Sequence, residues 1–303
     1  MSTGYYEPAK QLNPHATVTD AHNGVRHGSR YFEGDPVHAN TVKQKLKAGE
    51  CVYGTSLEDC LDPEMAVLLA AAGLDFFFVD TEHCTASPAQ IQALCRAAKG
   101  AGIIPLTRVT QNEPDLISRT LDVGSMGVIV PRVHNAAQAQ AALDVMKFPP
   151  FGHRGYGLRG IVNDFQTQSA REGVESANRE TLAVLMIESK EGLDNVEEIA
   201  GTPHLDVLFV GPYDLTLSLG IVEEFEHPIF VKALEKVIAA ASAAGVAVGL
   251  QTPNIDFLTK ARSMGARFLI FGSDIAVLFS GYKEGISRLK AGHEQSSHQL
   301  LKT

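Results

Sequence analysis

The sequence predicts a single (β/α)8 TIM barrel of the α/β class, preceded by an N-terminal extension. Eight short runs rich in Val, Ile, Leu and Phe follow residue 51, and apolar residues recur at helical spacing between them. The runs are almost continuously apolar, which is typical of parallel strands covered on both faces. Eight strand–helix units favour closure into a barrel, and a chain of 303 residues can hold one.

The predicted strands are residues 51–56, 76–80, 104–108, 127–131, 182–188, 207–211, 247–251 and 268–272. The predicted helices between them are residues 63–72, 88–100, 113–123, 136–147, 193–200, 228–244 and 255–264. Ser87 and Pro88 form a helix-start signal, and Gly102, Gly124 and Gly245 fall where helices should end. An open doubly wound sheet is the second choice, weakened because no GxGxxG or P-loop motif follows the first strand.

Two regions fall outside this alternation. Residues 1–40 are polar, with no apolar signal-peptide core, and are assigned to an N-terminal extension, with the barrel domain at 41–303. Residues 148–178 form a long irregular stretch, and long loops in compact domains are often functional.

Bulk composition excludes several classes of partner. A formal charge of −9 argues against nucleic acid and anionic membranes. The longest apolar stretch, residues 65–79, is shorter than the roughly twenty residues that a membrane span needs. The four cysteines lack zinc-finger or CxxC spacing, so a reducing, cytoplasmic location is expected.

Catalytic groups of such barrels lie at the carboxyl ends of the strands, so polar residues there are the candidate site. Asp80 and His83 follow the second strand, with Asp80 as a helix cap and His83 as a surface residue in the competing interpretation. Arg108 ends the third strand, and its guanidinium suits a substrate carboxylate or an ion pair with Asp80.

Two further acids, Glu188 and Asp214, follow the fifth and sixth strands. Neighbouring carboxylates repel unless a cation lies between them, and oxygen ligands favour Mg²⁺ or Mn²⁺. The competing interpretation makes each acid an N-cap, and it applies more to Asp214 than to Glu188. Lys190 keeps a Schiff-base mechanism open, ranked behind the metal. Asp122, near a helix end, could orient a histidine or simply be exposed.

These motifs, in this order, resemble the HpcH/HpaI aldolase/citrate lyase family of class II, pyruvate-dependent aldolases, over about residues 51–288. The resemblance is carried by residues 79–83, Arg108, residues 121–125, residues 149–157, residues 187–190 and residues 210–215. It implies that Glu188 and Asp214 bind the metal, Mg²⁺ or Mn²⁺ with Co²⁺ as a further option. The segment 152–157 would be an ordered loop near the mouth of the barrel.

The same resemblance assigns the remaining roles. His83 would be the base, Asp122 would raise its basicity, and Arg108 would stabilise the enolate or the oxyanion of the acceptor. Asp80 would support these residues without contacting the substrate itself. The backbone of Gly211, Pro212, Tyr213 and Asp214 would contact the pyruvoyl carboxylate. Met186 departs from the pattern, because bacterial aldolases of the family often carry a substrate-contacting glutamine there.

The predicted activity is metal-dependent carbon–carbon cleavage or condensation of 4-hydroxy-2-oxo acids through a pyruvate enolate, with an aldehyde as the other partner. Tyr213 and the N-terminal extension also resemble macrophomate synthase, so an oxaloacetate decarboxylase or a carbon–carbon bond-forming enzyme stays an alternative. An inactive barrel that serves as a scaffold is the non-enzyme alternative. Family relatives are homo-oligomers, often hexamers, so a homo-oligomer is expected.

Overall fold

The computed structural model describes residues 39–158, 160–163 and 169–300. The N-terminal extension predicted for residues 1–40 therefore lies outside the described residues, except for its last two positions. Where the described chain begins, Asn40 is fully buried, and its side chain caps the first helix by accepting from the Lys43 N–H.

Eight parallel strands close into a barrel in which each strand pairs with the next along the chain and β8 returns to β1. They are β1 (Val52–Leu57), β2 (Phe76–Asp80), β3 (Ile104–Arg108), β4 (Gly127–Val130), β5 (Leu182–Ile187), β6 (Val207–Val210), β7 (Ala247–Thr252) and β8 (Phe268–Ser273). The predicted (β/α)8 fold and all eight predicted strands are confirmed, with ends that differ by at most one residue.

The helices are α1 (Thr41–Lys47), α2 (Glu64–Ala71), α3 (Pro88–Ala101), α4 (Pro114–Asp122), α5 (Ala136–Met146), α6 (Ala170–Glu180), α7 (Lys190–Asp194), α8 (Val196–Ala200), α9 (Pro212–Ser218), α10 (Pro228–Ala244), α11 (Ile255–Met264) and α12 (Asp274–Leu300). A short 3-10 helix covers Gly160–Asn163. The sequence did not predict α1, α6, α9 or α12. The helix predicted at 193–200 starts earlier, at Lys190, where Ser189 is the N-cap, and Asn195 divides it into two short helices.

Alternation along the strands decides which side chains face the inside of the barrel. On β5, Leu182, Val184 and Met186 pack in the interior cluster, whereas Ala183, Leu185 and Ile187 pack beneath the outer helices. The interior is filled by large side chains, and the rings of Phe76 and Phe268 stack with centroids 4.2 Å apart. Gly54 leaves room for this stack, because a Cβ there would lie 2.5 Å from the Phe76 ring. Glu188 follows β5 at the next position of this alternation that faces the interior, so its side chain points into the mouth of the barrel.

The last helix, α12, carries an apolar surface that the barrel does not cover. Phe279, Tyr282 and Leu289 are exposed, as are Val67 and Leu68 on α2. Within the described residues, none of the helices combines the length and the apolar character that a membrane crossing requires.

The loop 152–157 lies away from the mouth that the sequence predicted for it. It follows the carboxyl end of α5, where the His153 N–H donates to the Asp144 carbonyl at 2.7 Å and the Arg154 N–H to the Lys147 carbonyl at 2.9 Å. Helices of a (β/α)8 barrel run back from the mouth, so a helix-to-strand loop lies at the amino end of the strands. Within a single chain, the expectation that this loop lies near the mouth was therefore wrong. The predicted irregular stretch 148–178 also contains most of α6.

Candidate active site at the carboxyl ends of the strands

Two adjoining cavities open at the carboxyl end of the barrel, with volumes of about 280 and 260 Å³. His83 and Asp214 line both. Glu188 lines the larger cavity, and Arg108 lines the smaller one. The structure therefore brings together the four side chains that the sequence singled out at the ends of β2, β3, β5 and β6.

Arg108 is fixed by two acids from the neighbouring strand end. Its Nε and one terminal nitrogen donate to the two carboxylate oxygens of Asp80 at 2.9 and 2.5 Å, and its other terminal nitrogen lies 3.4 Å from Glu82. Burial alone would lower the pKa of Arg108, but Asp80, Glu82 and Glu188 raise it above its ordinary value. Arg108 therefore presents a permanent, oriented positive charge to the cavity.

Asp80 has the supporting position expected of it. Its carboxylate is 1% exposed and accepts from Arg108 and from the Glu82 N–H at 2.9 Å. The ion pair between Arg108 and Asp80 that the sequence offered as one interpretation is present, and Arg108 also lines the smaller cavity; its contact with a substrate carboxylate stays a prediction.

Glu188 is buried, and its position is fixed by backbone contacts on two sides. One carboxylate oxygen accepts from the Arg132 N–H at 2.6 Å. A Cβ at Gly211 would lie 2.8 Å from the other oxygen, so the backbone there approaches the carboxylate closely. Burial raises the pKa of Glu188 to about 7, and the charges of Glu82 and Asp214 act in the same direction.

The segment from Gly211 to Asp214 forms the start of α9 beside Glu188. Gly211 is the N-cap, the buried Pro212 occupies the first turn, and Asp214 is exposed. The N–H groups of Tyr213 and Asp214 belong to the first helical turn, where backbone donors have no intrahelical partner. The Tyr213 ring packs edge-on against Phe225 with centroids 5.2 Å apart, and Tyr213 lines the smaller cavity.

His83 lies at the rim. Its side chain is 63% exposed, and its Nε2 lies 3.9 Å from a carboxylate oxygen of Glu82. It lines both cavities, so it can reach a group bound in either one. A histidine in this position can accept or donate a proton.

Asp122 and Lys190, two candidate residues from the sequence, do not line either cavity. Asp122, at the carboxyl end of α4, accepts from Arg154 at 2.7 Å, and no described hydrogen bond joins it to His83. Lys190 is 65% exposed and pairs with Asp194 at 2.5 Å. Lys190 therefore lacks the burial that activates a Schiff-base lysine.

Several residues of the site went unpredicted, although the same rule could have found them. Glu58, Arg132 and Gln251 lie within two residues of the carboxyl ends of β1, β4 and β7, and all three line the cavities. Glu82 pairs with Arg132 as well as with Arg108. Arg132 also has a left-handed backbone, with φ of 54°, which is uncommon for a side chain other than glycine.

The residues at the larger cavity fit a divalent cation. Two carboxylates, Glu188 and Asp214, line the same cavity, and a cation between them would offset their mutual repulsion. No group of three or more His, Cys, Asp or Glu that could hold a metal occurs among the described residues. Mg²⁺ is nevertheless commonly bound by one or two carboxylates, with water and substrate completing its shell.

The HpcH/HpaI aldolase/citrate lyase family model matches residues 60–280, which is most of the chain and includes His83, Arg108, Glu188 and Asp214. The chain belongs to the HpcH/HpaI aldolase/citrate lyase family. Aldolases of this family depend on divalent metal ions. The resemblance stated from the sequence motifs is thereby confirmed.

Known members of the family cover most of this chain. The 5-keto-4-deoxy-D-glucarate aldolase of Shigella boydii serotype 18 is 32% identical, over 82% of this chain and 96% of its own. The hydroxypyruvate/pyruvate aldolase of Paraburkholderia phytofirmans is 30% identical, over 83% and 98%. The crystal structure of an HpcH/HpaI aldolase from Desulfitobacterium hafniense DCB-2 has a TM-score of 0.79 at 34% identity, over 82% and 96%.

The predicted similarity to macrophomate synthase holds at the level of the fold. Its crystal structure has a TM-score of 0.75 and covers 88% of this chain and 95% of its own, at 21% identity. The chain is thus an aldolase-family enzyme on a (β/α)8 barrel.

Proposed function

We propose that this enzyme cleaves 4-hydroxy-2-oxo acids into pyruvate and an aldehyde, and runs the condensation in reverse. The observation that carries the proposal is the buried Glu188 carboxylate beside Asp214, with Arg108 held in the adjoining cavity. The names of two family members, a hydroxypyruvate/pyruvate aldolase and a 5-keto-4-deoxy-D-glucarate aldolase, support a 2-oxo acid as substrate.

Glu188 and Asp214 would hold Mg²⁺ or Mn²⁺, with Co²⁺ as a further candidate. When bound, the ion supplies a Lewis acid for the 2-oxo and carboxylate oxygens of the substrate. Gly211 sets how closely α9 approaches the Glu188 carboxylate, and the Arg132 N–H fixes that carboxylate in orientation. The N–H groups of Tyr213 and Asp214 would receive the substrate carboxylate, with Gly211 and Pro212 shaping the turn that presents them.

Arg108 would stabilise the negative charge that develops on oxygen. Asp80 holds the guanidinium by two hydrogen bonds, so little reorganisation is needed as the charge appears. Removing one such donor costs roughly a hundred- to a thousandfold in rate in enzymes that use them.

His83 would move the proton. In cleavage the C4 hydroxyl loses its proton to His83, the C3–C4 bond breaks, the aldehyde leaves, and the bonding electrons pass into the pyruvate enolate, which is then protonated at C3. General acid–base catalysis of this kind contributes roughly a hundred- to ten-thousandfold. Asp122 as the residue that raises the basicity of His83 stays a prediction, because within the chain it pairs with Arg154.

Oxaloacetate decarboxylation is the second candidate, since loss of CO2 from C3 gives the same enolate. Met186 favours it, because this apolar side chain lines the smaller cavity where bacterial aldolases often have a substrate-contacting glutamine. An apolar wall suits the departure of an uncharged CO2 better than it suits a polyhydroxylated aldehyde.

The test is pyruvate release from oxaloacetate and from a series of 4-hydroxy-2-oxo acids, after metal removal and after return of Mg²⁺, Mn²⁺ or Co²⁺. We expect no turnover without metal and recovery on its return. The Glu188→Gln variant should stay inactive, whereas Glu191→Gln, an exposed acid three residues away, should behave like wild type. Full turnover after exhaustive metal removal contradicts the metal-dependent mechanism, and no release from any substrate favours an inactive scaffold.

We also propose a homo-oligomer, with a hexamer as the form that the family suggests. The exposed Phe279, Tyr282 and Leu289 of α12 form an apolar surface of the kind that protein contacts cover. Light scattering should give a mass several times that of the chain, and Tyr282→Glu should lower it. A monomer in the wild type contradicts this proposal. The cytoplasmic location stays a prediction.

A further inference from the structure

A third, larger cavity of about 1040 Å³ lies at the amino end of the barrel, opposite the site described above. We call it the amino-end cavity; its lining includes Lys43, Lys47, Lys147, Glu175, Arg179 and Asp206. Its size is that of a small-molecule site. Its charge is unusual for a chain of net charge −9, because five Lys or Arg side chains line it against two acids.

Lys147 is the residue that needs a partner. It is 1% exposed, and its Nζ donates to the carbonyls of Asn178 at 2.9 Å and Thr181 at 3.0 Å. A lysine ammonium has three N–H donors, so one remains. Among the ion pairs of the described residues, none includes Lys147. A buried cation without an anion is unfavourable unless it loses its proton or gains a counter-ion.

The nearby carboxylate of Asp206 is already engaged. It accepts from Lys43 Nζ at 2.8 Å and from the Ala183 N–H at 2.9 Å. Lys43 also donates to the Thr181 carbonyl at 2.8 Å, so two ammonium groups share one carbonyl oxygen. Among the described residues, Asp206 thus pairs directly with Lys43 and not with Lys147, the second ammonium at this oxygen.

The titration of Lys147 agrees with this geometry. Burial lowers the pKa of Lys147 to about 7, and the charge of Lys43 acts in the same direction, against Asp206. The other titratable groups that line the cavity are Lys43 and Lys47 from α1, His204 and Asp206 before β6, and Arg171, Glu175 and Arg179 from α6. A bound anion would favour the charged form of Lys147 and would therefore be taken up together with a proton.

The rest of the cavity wall suits a carbon skeleton. The rings of Phe151 and His204 lie 4.5 Å apart between centroids, and both residues line the cavity. His204 holds this position with a left-handed backbone, at φ of 68°. An aromatic surface beside a cluster of cations favours an organic anion over a bare inorganic ion.

We propose that the amino-end cavity binds a small organic anion, with a phosphate or carboxylate oxygen of the ligand accepting from Lys147 Nζ. Lys47, exposed at the end of α1, adds a second positive charge at the cavity rim. This site is separate from the catalytic cavities, and its existence does not depend on the reaction proposed above.

The test is calorimetric titration of the full chain at constant ionic strength with glucose 6-phosphate, with succinate and with neutral glucose. We expect binding of at least one of the two anions and none of glucose. Near pH 7 the heat should vary with the ionisation enthalpy of the buffer, which reports proton uptake. Lys147→Met should weaken binding at least about tenfold and remove the proton uptake.

Lys47→Met is the second variant, because its exposed side chain can be replaced without disturbing the core, and it should weaken binding by about threefold or more. Lys260→Met, an exposed lysine on α11, is the matched control and should bind like wild type. The proposal is overturned if neither anion binds at millimolar concentration. It is equally overturned if both anions bind Lys147→Met and Lys47→Met as tightly as wild type.

Discussion

Gly211→Ala is the smallest change that should disable the proposed metal site. The added Cβ would lie 2.8 Å from a Glu188 carboxylate oxygen, 2.9 Å from the Glu188 Cβ and 3.2 Å from the end of Met186. Ordinary van der Waals contact requires the carboxylate to move by about half an ångström. The Arg132 N–H at 2.6 Å from the other oxygen opposes that movement.

The magnitude follows from the tolerance of metal coordination. Ligand distances in metal sites stay within about 0.2 Å of their ideal values, so a shift of half an ångström should disturb binding. Displacements of this kind typically cost about 10- to 100-fold in metal affinity or activity. The backbone of Gly211 itself is extended, with φ of −84° and ψ of 94°, so alanine adds no backbone strain.

The assay is Mn²⁺ binding by calorimetry, together with kcat/KM for pyruvate release. Gly100→Ala is the matched control, because a Cβ at Gly100 in α3 meets nothing within 4 Å. We expect weaker Mn²⁺ binding and a lower kcat/KM in Gly211→Ala only, at nearly unchanged thermal stability. Wild-type Mn²⁺ affinity in Gly211→Ala would refute the assignment of Glu188 as a ligand placed by this turn.

Three further predictions follow from individual contacts. Arg108→Lys loses the two hydrogen bonds to Asp80, so kcat should fall about 100-fold or more while the affinity for the metal changes little. Steady-state kinetics and Mn²⁺ titration measure these two quantities, and an unchanged kcat contradicts the role of Arg108 in stabilising the oxyanion. Burial lowers the pKa of Lys147 in the folded chain to about 7, so the unfolded chain binds more protons between pH 7 and about 10. The unfolding free energy of wild type relative to Lys147→Met should therefore rise by about 1 to 2 kcal/mol from pH 7 to 9, measured by urea denaturation without added anions; a fall over that range contradicts the lowered pKa. Lys190→Met should keep wild-type activity, and borohydride with pyruvate should leave the protein unmodified, because Lys190 is exposed and paired with Asp194; a trapped adduct restores the Schiff-base mechanism.

The sequence predicted the barrel well because each strand carries a strong local signal. Strand β5 is buried along its whole length, and its apolar run is equally continuous in the sequence. Short helices such as α1 and α9 escaped prediction, because seven residues contain too few turns to show a helical period. Part of α6 falls where the sequence reads as an irregular loop, although Ser169 and Glu172 form a capping box there.

The places of Arg108 and Glu188 at the mouth were predictable, because both residues stand at the carboxyl ends of strands in the sequence. Arg132 was not, because its contribution combines a backbone N–H with a side chain that pairs across to Glu82, and neither contact has a sequence signature. The position of Asp122 next to Arg154 likewise depends on where the end of α4 meets a loop that is distant in the sequence.

The most direct test of the central claim is anomalous diffraction at the manganese edge, from crystals grown with Mn²⁺ and pyruvate. We predict one strong peak per chain at the mouth of the barrel, about 2.0 to 2.3 Å from a carboxylate oxygen of Glu188 and from one of Asp214. A peak coordinated by other residues, or no peak between these two carboxylates at saturating Mn²⁺, would contradict the account.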